Sequence, residues 1–105
     1  MAFALGIILT CPPGAAADDG VQEIKFRNGR FEPASLTINA NAPVKLRVRN
    51  ADGAPIEFES FELNRERVVP PGQAVTVFLP SLSPGSYQFF YDVHREVPPG
   101  TLIVK

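Results

Sequence analysis

The 105-residue sequence predicts an all-β domain built as a Greek-key antiparallel β-sandwich. Three observations carry that expectation. Apolar and polar residues alternate in short runs, most clearly in Val44-Lys45-Leu46-Arg47-Val48-Arg49. Such a period of two puts one set of side chains in a core and the other in water. Turn-forming groups such as Asn28-Gly29, Pro70-Pro71-Gly72 and Pro84-Gly85 separate the runs every eight to twelve residues or so. Finally, eleven prolines and eight glycines leave few runs of good helix formers.

Taken in order, the chain opens with an apolar run, Met1 to Thr10, followed by Cys11-Pro12-Pro13-Gly14 and Ala15-Ala16-Ala17. Every Lys, Arg, Asp and Glu lies after Ala17. A small-x-small site before Asp18 is what signal peptidase cuts, so residues 1–17 read as a secretory signal and 18–105 as the mature domain. The run lacks the basic residue that normally opens such a leader, and it is too short for a permanent anchor. The expected location is the periplasm. Lipid attachment at Cys11 is the less favoured route, because Thr10 is bulky for the position before a lipobox cysteine.

Glu23 to Arg30 alternates as a strand that ends in the Asn28-Gly29 turn, and Leu36-Thr37-Ile38 is the next strand. Val44 to Arg49 follows. Its Lys45, Arg47 and Arg49 form either an interaction patch or an ordinary solvated sheet face. Ile56 to Leu63 is read as a strand giving way to an irregular link, since Pro55 and the surrounding β-character weigh against a helix. Arg65-Glu66-Arg67 is a charged step before Val68-Val69. Ala74 to Leu79, Tyr87 to Tyr91 and Thr101 to Lys105 complete the sheets.

The composition excludes several functions. A net charge of −1 offers no basic field for nucleic acid. Cleavage after Ala17 leaves no cysteine, so disulfides, thiolate catalysis and cysteine–metal bonds go together. His94 is the only histidine. It could in principle serve Ser60, Ser81, Ser83 or Ser86, but no nucleophile elbow surrounds any of them. What remains is oxygen ligands around one nitrogen. Glu57, Glu59, Glu62 and Glu66 cluster in one segment, and Asp92, His94 and Glu96 in another. On a strand Glu57 and Glu59 share a face and could supply two carboxylates to one ion. Carboxylates with one imidazole suit a hard cation or iron better than Cu(I). The competing reading is a set of solvated surface charges.

From Glu23 onward the order of features resembles the cupredoxins. Phe31-Glu32-Pro33, Leu36-Thr37-Ile38 and a strand ending in Asn50 are similar to the start of bacterial cupredoxin-like domains. Pro84-Gly85-Ser86-Tyr87-Gln88-Phe89-Phe90 looks like the family's PG-x-Y-x-F strand, and Gly100-Thr101-Leu102-Ile103-Val104 like its closing strand. The resemblance implies that His94 occupies the position of the loop histidine. Ile56 then stands where the first ligand histidine would be, and Tyr91 where the cysteine would be. Val97-Pro98-Pro99 replaces the region of the axial methionine. One ligand survives, so no type 1 blue copper is expected. At the vacated cysteine position, Tyr91 either fills the space as a buried aromatic or takes part in ligation or electron transfer.

Ile56 to Gly72 with Phe89 to His94 looks like small periplasmic cupredoxin-like proteins linked to ferrous-iron uptake. That resemblance implies an iron or copper ion as ligand, held by His94, Asp92, Glu57 and Glu59. It also implies a membrane iron permease or another periplasmic uptake component as partner. Two other readings stay open: a metal-free sandwich that docks a membrane or periplasmic partner, and an accessory ferroxidase activity.

Overall fold

The computed structural model describes residues 20–105, so the expected leader over residues 1–17 lies outside the described residues. Nine strands form two sheets packed face to face, with no helix among the described residues. They are β1 (Val21–Arg27), β2 (Arg30–Glu32), β3 (Ser35–Ile38), β4 (Val44–Asn50), β5 (Ile56–Ser60), β6 (Arg65–Val69), β7 (Ala74–Leu79), β8 (Gly85–Tyr91) and β9 (Gly100–Val104). One sheet has the order β2-β1-β4-β7 and the other β3-β9-β8-β5-β6. The expected all-β sandwich is the observed one.

The sheets are mixed, where antiparallel pairing was expected. β1 runs parallel to β4, with Glu23 opposite Arg47, and β3 runs parallel to β9. The alternation of side chains reports which face is buried and is blind to the direction of the neighbouring strand. Consecutive strands here repeatedly change sheet, so many sheet neighbours are distant in sequence. A second difference is Arg65–Val69, of which Arg65-Glu66-Arg67 was expected as a charged step before Val68-Val69. It is the strand β6, paired antiparallel along all of β5. Its residues Arg65 and Arg67 point inward at the sandwich edge. There Arg65 donates to the Phe78 carbonyl (3.0 and 3.1 Å) and Arg67 to the Thr76 carbonyl (2.9 Å) of β7. Those bonds occupy carbonyls of an edge strand that would otherwise be open to pairing.

The core follows the period-two pattern. Ile24, Leu46, Val48, Phe58, Val69, Phe89 and Leu102 are fully buried between the sheets. Four phenylalanines pack edge-on or tilted at its centre, with Phe31 5.1 Å from Phe89 and Phe58 5.4 Å from Phe89. Phe26 sits 5.0 Å from Phe31. Offset and edge-on rings of this kind add to what their burial contributes. Gly100 leaves the space that the Phe89 ring fills, and a Cβ there would overlap that ring. The Asn28-Gly29 turn takes the expected left-handed conformation, φ 54° and 75°. Both of its N–H groups donate to the Asp52 carboxylate, at 2.8 and 3.0 Å.

One polar group organises the end of the sandwich where β5 begins. Asn50 is fully buried, yet its amide donates to the Ala54 and Val69 carbonyls (2.7 and 3.0 Å) and accepts from the Asp52 N–H (2.9 Å). It thereby ties the loop before β5 to the end of β6. A buried amide satisfied in this way fixes a loop that has little apolar surface of its own.

Candidate functional site

The strand β5 passes both places where chemistry could sit: the end of the sandwich beside Tyr91 and His94, and the outer face of the five-stranded sheet. At the end, Ile56 is buried in the core. The Tyr91 ring packs edge-on against Phe26 at 5.6 Å, and its hydroxyl donates to the Pro55 carbonyl at 3.0 Å. His94 lies against Tyr91, with ring centroids 4.3 Å apart, and its Nδ1 is 2.9 Å from a Glu96 carboxylate oxygen. That pairing lowers the Glu96 pKa below the usual carboxylate value, through the hydrogen bond with His94 first. The sequence's one cysteine, Cys11, and one methionine, Met1, lie outside the described residues. Ile56 offers no donor atom and the Tyr91 hydroxyl is engaged, so the residues at this end do not fit a type 1 copper centre.

The outer face is different in kind. Ile56, Phe58 and Ser60 point inward, so Glu57 and Glu59 point outward. The pairing register sets Glu59 directly opposite Glu66 on β6, and Phe58 opposite Tyr91 on β8. Asp92, one step beyond Tyr91, donates its N–H to the Glu57 carbonyl at 3.0 Å, which fixes it beside Glu57. Four carboxylates therefore share one patch. Like charges directly across an antiparallel pair oppose each other. The Glu57 pKa is raised, by a hydrogen bond with the Glu66 carboxyl first, then by burial and the charge of Asp92. The Glu59 pKa is raised too, by burial first and then by Glu66 and Asp92. Glu59 is only 8% exposed, and no salt bridge reaches it among the described residues.

Of the four residues expected to bind metal, Glu57, Glu59 and Asp92 come to this patch. His94 is instead held by Glu96 and Tyr91. Among the described residues no group of three or more His, Cys, Asp or Glu side chains is gathered closely enough to hold a metal ion. The patch is a shared electrostatic field, not a closed cage. Glu66 is the residue that sequence reasoning left out of the set. Its signal was present: reading Arg65-Glu66-Arg67 as a strand after a tight turn would have set Glu66 across from Glu59. Glu62 serves the scaffold, accepting the Gln88 N–H at 2.8 Å. So does Ser60, which is buried, donates to the Gln88 carbonyl (2.7 Å) and accepts the Leu63 N–H (3.1 Å). Beside the patch, Phe61, Phe90, Tyr91, His94, Arg95 and Val97 line an open hollow of about 320 Å³.

Comparison with known proteins agrees with this architecture. The chain is 33% identical over 89 residues to an uncharacterized protein of Rickettsia prowazekii (strain Madrid E), RP394, covering 83% of this chain and 71% of that one. Among solved structures it is similar to the metal-binding domain of the Streptococcus pneumoniae D39 Cu(I) exporting P-type ATPase CopA. The TM-score is 0.71 at 15% identity, over 83% of this chain and 88% of that one. Auracyanin A, a blue copper protein from Chloroflexus aurantiacus, superposes with a TM-score of 0.69 at 16% identity, over 81% and 98%. A purple cupredoxin from Nitrosopumilus maritimus gives 0.62 at 18%, over 79% and 98%. At these identities the structural likeness speaks for the fold alone. The family model described as a cupredoxin-like domain matches residues 1–104. The chain belongs to the cupredoxin-like domain family.

Proposed function

We propose that this protein is a periplasmic accessory protein that handles a metal cation, ferrous iron first, at the carboxylate patch of β5, β6 and β8. It does so without a type 1 copper centre, and it serves uptake together with a membrane permease. The observation that carries the reading is Glu59, nearly buried and facing Glu66 across the ladder, with no salt bridge to it among the described residues. A proton or a metal ion between the two carboxylates relieves that opposition. All-oxygen donors suit Fe²⁺, Mn²⁺ or Mg²⁺ better than Cu(I). Glu57, Glu59, Glu66 and Asp92 are the proposed ligands, drawn inward by the ion. His94 is a separate contributor from the adjoining loop. The resemblance to iron-uptake proteins supplies the choice of iron and the permease, and the expected leader over residues 1–17 supplies the periplasmic location.

Calorimetric titration with Mn²⁺, which avoids oxidation, tests this, and an anaerobic Fe²⁺ titration extends it. Wild type is expected to bind one ion, and Glu59→Gln/Glu66→Gln to bind at least about ten-fold more weakly. His94→Ala, measured alone, reports whether the loop contributes. Equal binding by wild type and the double variant removes the proposal. A second reading, a metal-free docking module, is favoured by Phe61, which is 71% exposed beside the hollow and stacks edge-on with Phe90 at 5.0 Å. Capture of a membrane component that survives chelator and is lost in Phe61→Ser selects that reading instead.

A further inference from the structure

The net charge of −1 conceals a separation of charge between the two sheets. The parallel register of β1 on β4 puts Glu23, Lys25 and Arg27 on the same outward face as Lys45, Arg47 and Arg49. The hairpin to β2 adds Arg30 and Glu32. That outer face therefore carries six cations and two carboxylates. Both carboxylates are already engaged, Glu23 with Arg49 and Glu32 with Arg27, each at 3.3 Å. Lys25, Arg30, Lys45 and Arg47 carry no salt bridge among the described residues. Asp52 lies at the end of the sheet with its oxygens bonded to the Asn28 and Gly29 N–H groups. The carboxylates Glu57, Glu59, Glu66 and Asp92 lie on the other sheet. None of this depends on metal binding there.

We propose that the outer face of the β2-β1-β4-β7 sheet docks the protein flat on an anionic lipid surface. Charge complementarity selects an anionic occupant, and the distribution of apolar groups selects lipid over protein. Protein interfaces concentrate aromatic residues at the centre, deplete lysine, and carry polar groups at the rim. This face is the reverse. Its centre is Lys25, Lys45, Arg47 and Arg49, and its one large exposed apolar side chain, Phe78 (63% exposed), stands on the edge strand opposite Lys45. An aromatic ring beside basic side chains on one surface is what lies well at a headgroup boundary. The cations sit in rows about 4.8 Å apart across the strands, a sheet of charge, and the hollow beside them, lined by Pro43, Val44, Lys45, Phe78 and Leu79, lies at the edge strand. In that orientation the carboxylate face of the other sheet points away from the lipid, open to solutes.

The test is co-sedimentation of the full chain with vesicles of phosphatidylcholine carrying about a quarter phosphatidylglycerol. Pure phosphatidylcholine vesicles are the reference, since they report any contribution of the apolar first residues. Binding to the anionic vesicles alone, and its loss near about 0.5 M salt, is the expected result. Arg30→Gln/Lys45→Gln/Arg47→Gln should weaken that binding roughly 100-fold, at about five-fold per cation. Its circular dichroism should be unchanged, because all three side chains are exposed. Lys105→Gln, a cation off this face, should bind like wild type. Equal binding to both vesicle types, or no loss in the triple variant, overturns the proposal. So does salt-sensitive retention by polyglutamate without vesicle binding, which marks an acidic protein as the occupant. Salt-sensitive self-association in sedimentation overturns it as well, since the carboxylate sheet of a second copy would then cover the face.

Discussion

Along β5 the inward side chains meet partners that suit them, while the outward ones meet more of their own charge. Ile56 and Phe58 are buried among apolar neighbours, and Ser60 gives its hydroxyl to the backbone of β8 and the turn after β5. Glu57 and Glu59, one residue away in each direction, face Glu66 and Asp92. The inner face is consistent at every level, from pattern to packing to hydrogen bonding. The outer face breaks the rule that like charges are kept apart across a ladder, and such local conflicts are where function is expected. In this cupredoxin-like sandwich the core is matched throughout, and the opposed like charges lie on the outside. The end of the fold where a copper ligand set would stand is filled by Ile56 and the engaged Tyr91.

The contrast can be broken hardest from the inside. Phe58→Ala removes a buried ring from the aromatic cluster and should destabilise the domain by about 3–5 kcal/mol, read from urea unfolding. Gly100→Ala should cost about 1–3 kcal/mol, because the added Cβ overlaps the Phe89 ring and the core must shift. Chemical denaturation that leaves the midpoint unchanged in either variant would contradict the packing described.

The outer face should respond with the opposite sign. Glu66→Gln removes the carboxylate that raises both Glu57 and Glu59, so the metal-free variant should melt slightly higher than wild type at neutral pH. The pH dependence follows from the same direction. Both glutamates have folded pKa values above their unfolded value of 4.5, so the folded state holds its protons more tightly than the unfolded chain. Stability from this pair is complete below the unfolded value and falls as pH rises toward the raised folded values. Above those it stays at the lower level. Thermal melts followed across that window, with Glu66→Gln as the flattened control, would measure it. A wild-type curve that rises with pH there, after subtraction of the Glu66→Gln curve, contradicts the patch.

Much of the fold was legible because burial imposes a period of two on every strand that has one dry face. Val44-Lys45-Leu46-Arg47-Val48-Arg49 and the Asn28-Gly29 turn announced themselves for that reason. β6 did not, since Arg65 and Arg67 point inward only at an open edge, where their guanidinium groups reach carbonyls of β7. An inward arginine reads as an outward one until the edge is seen. Within the site, Glu57, Glu59 and Asp92 were legible as acids on one strand and one loop. Glu66 was not, since its place opposite Glu59 depends on the tight turn over Phe61–Asn64. His94 was read as part of the same group, and the loop instead pairs it with Glu96.

By itself, then, the sequence determined the all-β class and the core set. Those follow from side-chain chemistry and local periodicity, which need no knowledge of partners. Only the tertiary structure decided that β1 lies parallel to β4 and that β6 returns along β5. Strand direction and register are set by which distant segments bury each other's apolar faces. These two pairings bring the cations together on one sheet and the carboxylates together on the other.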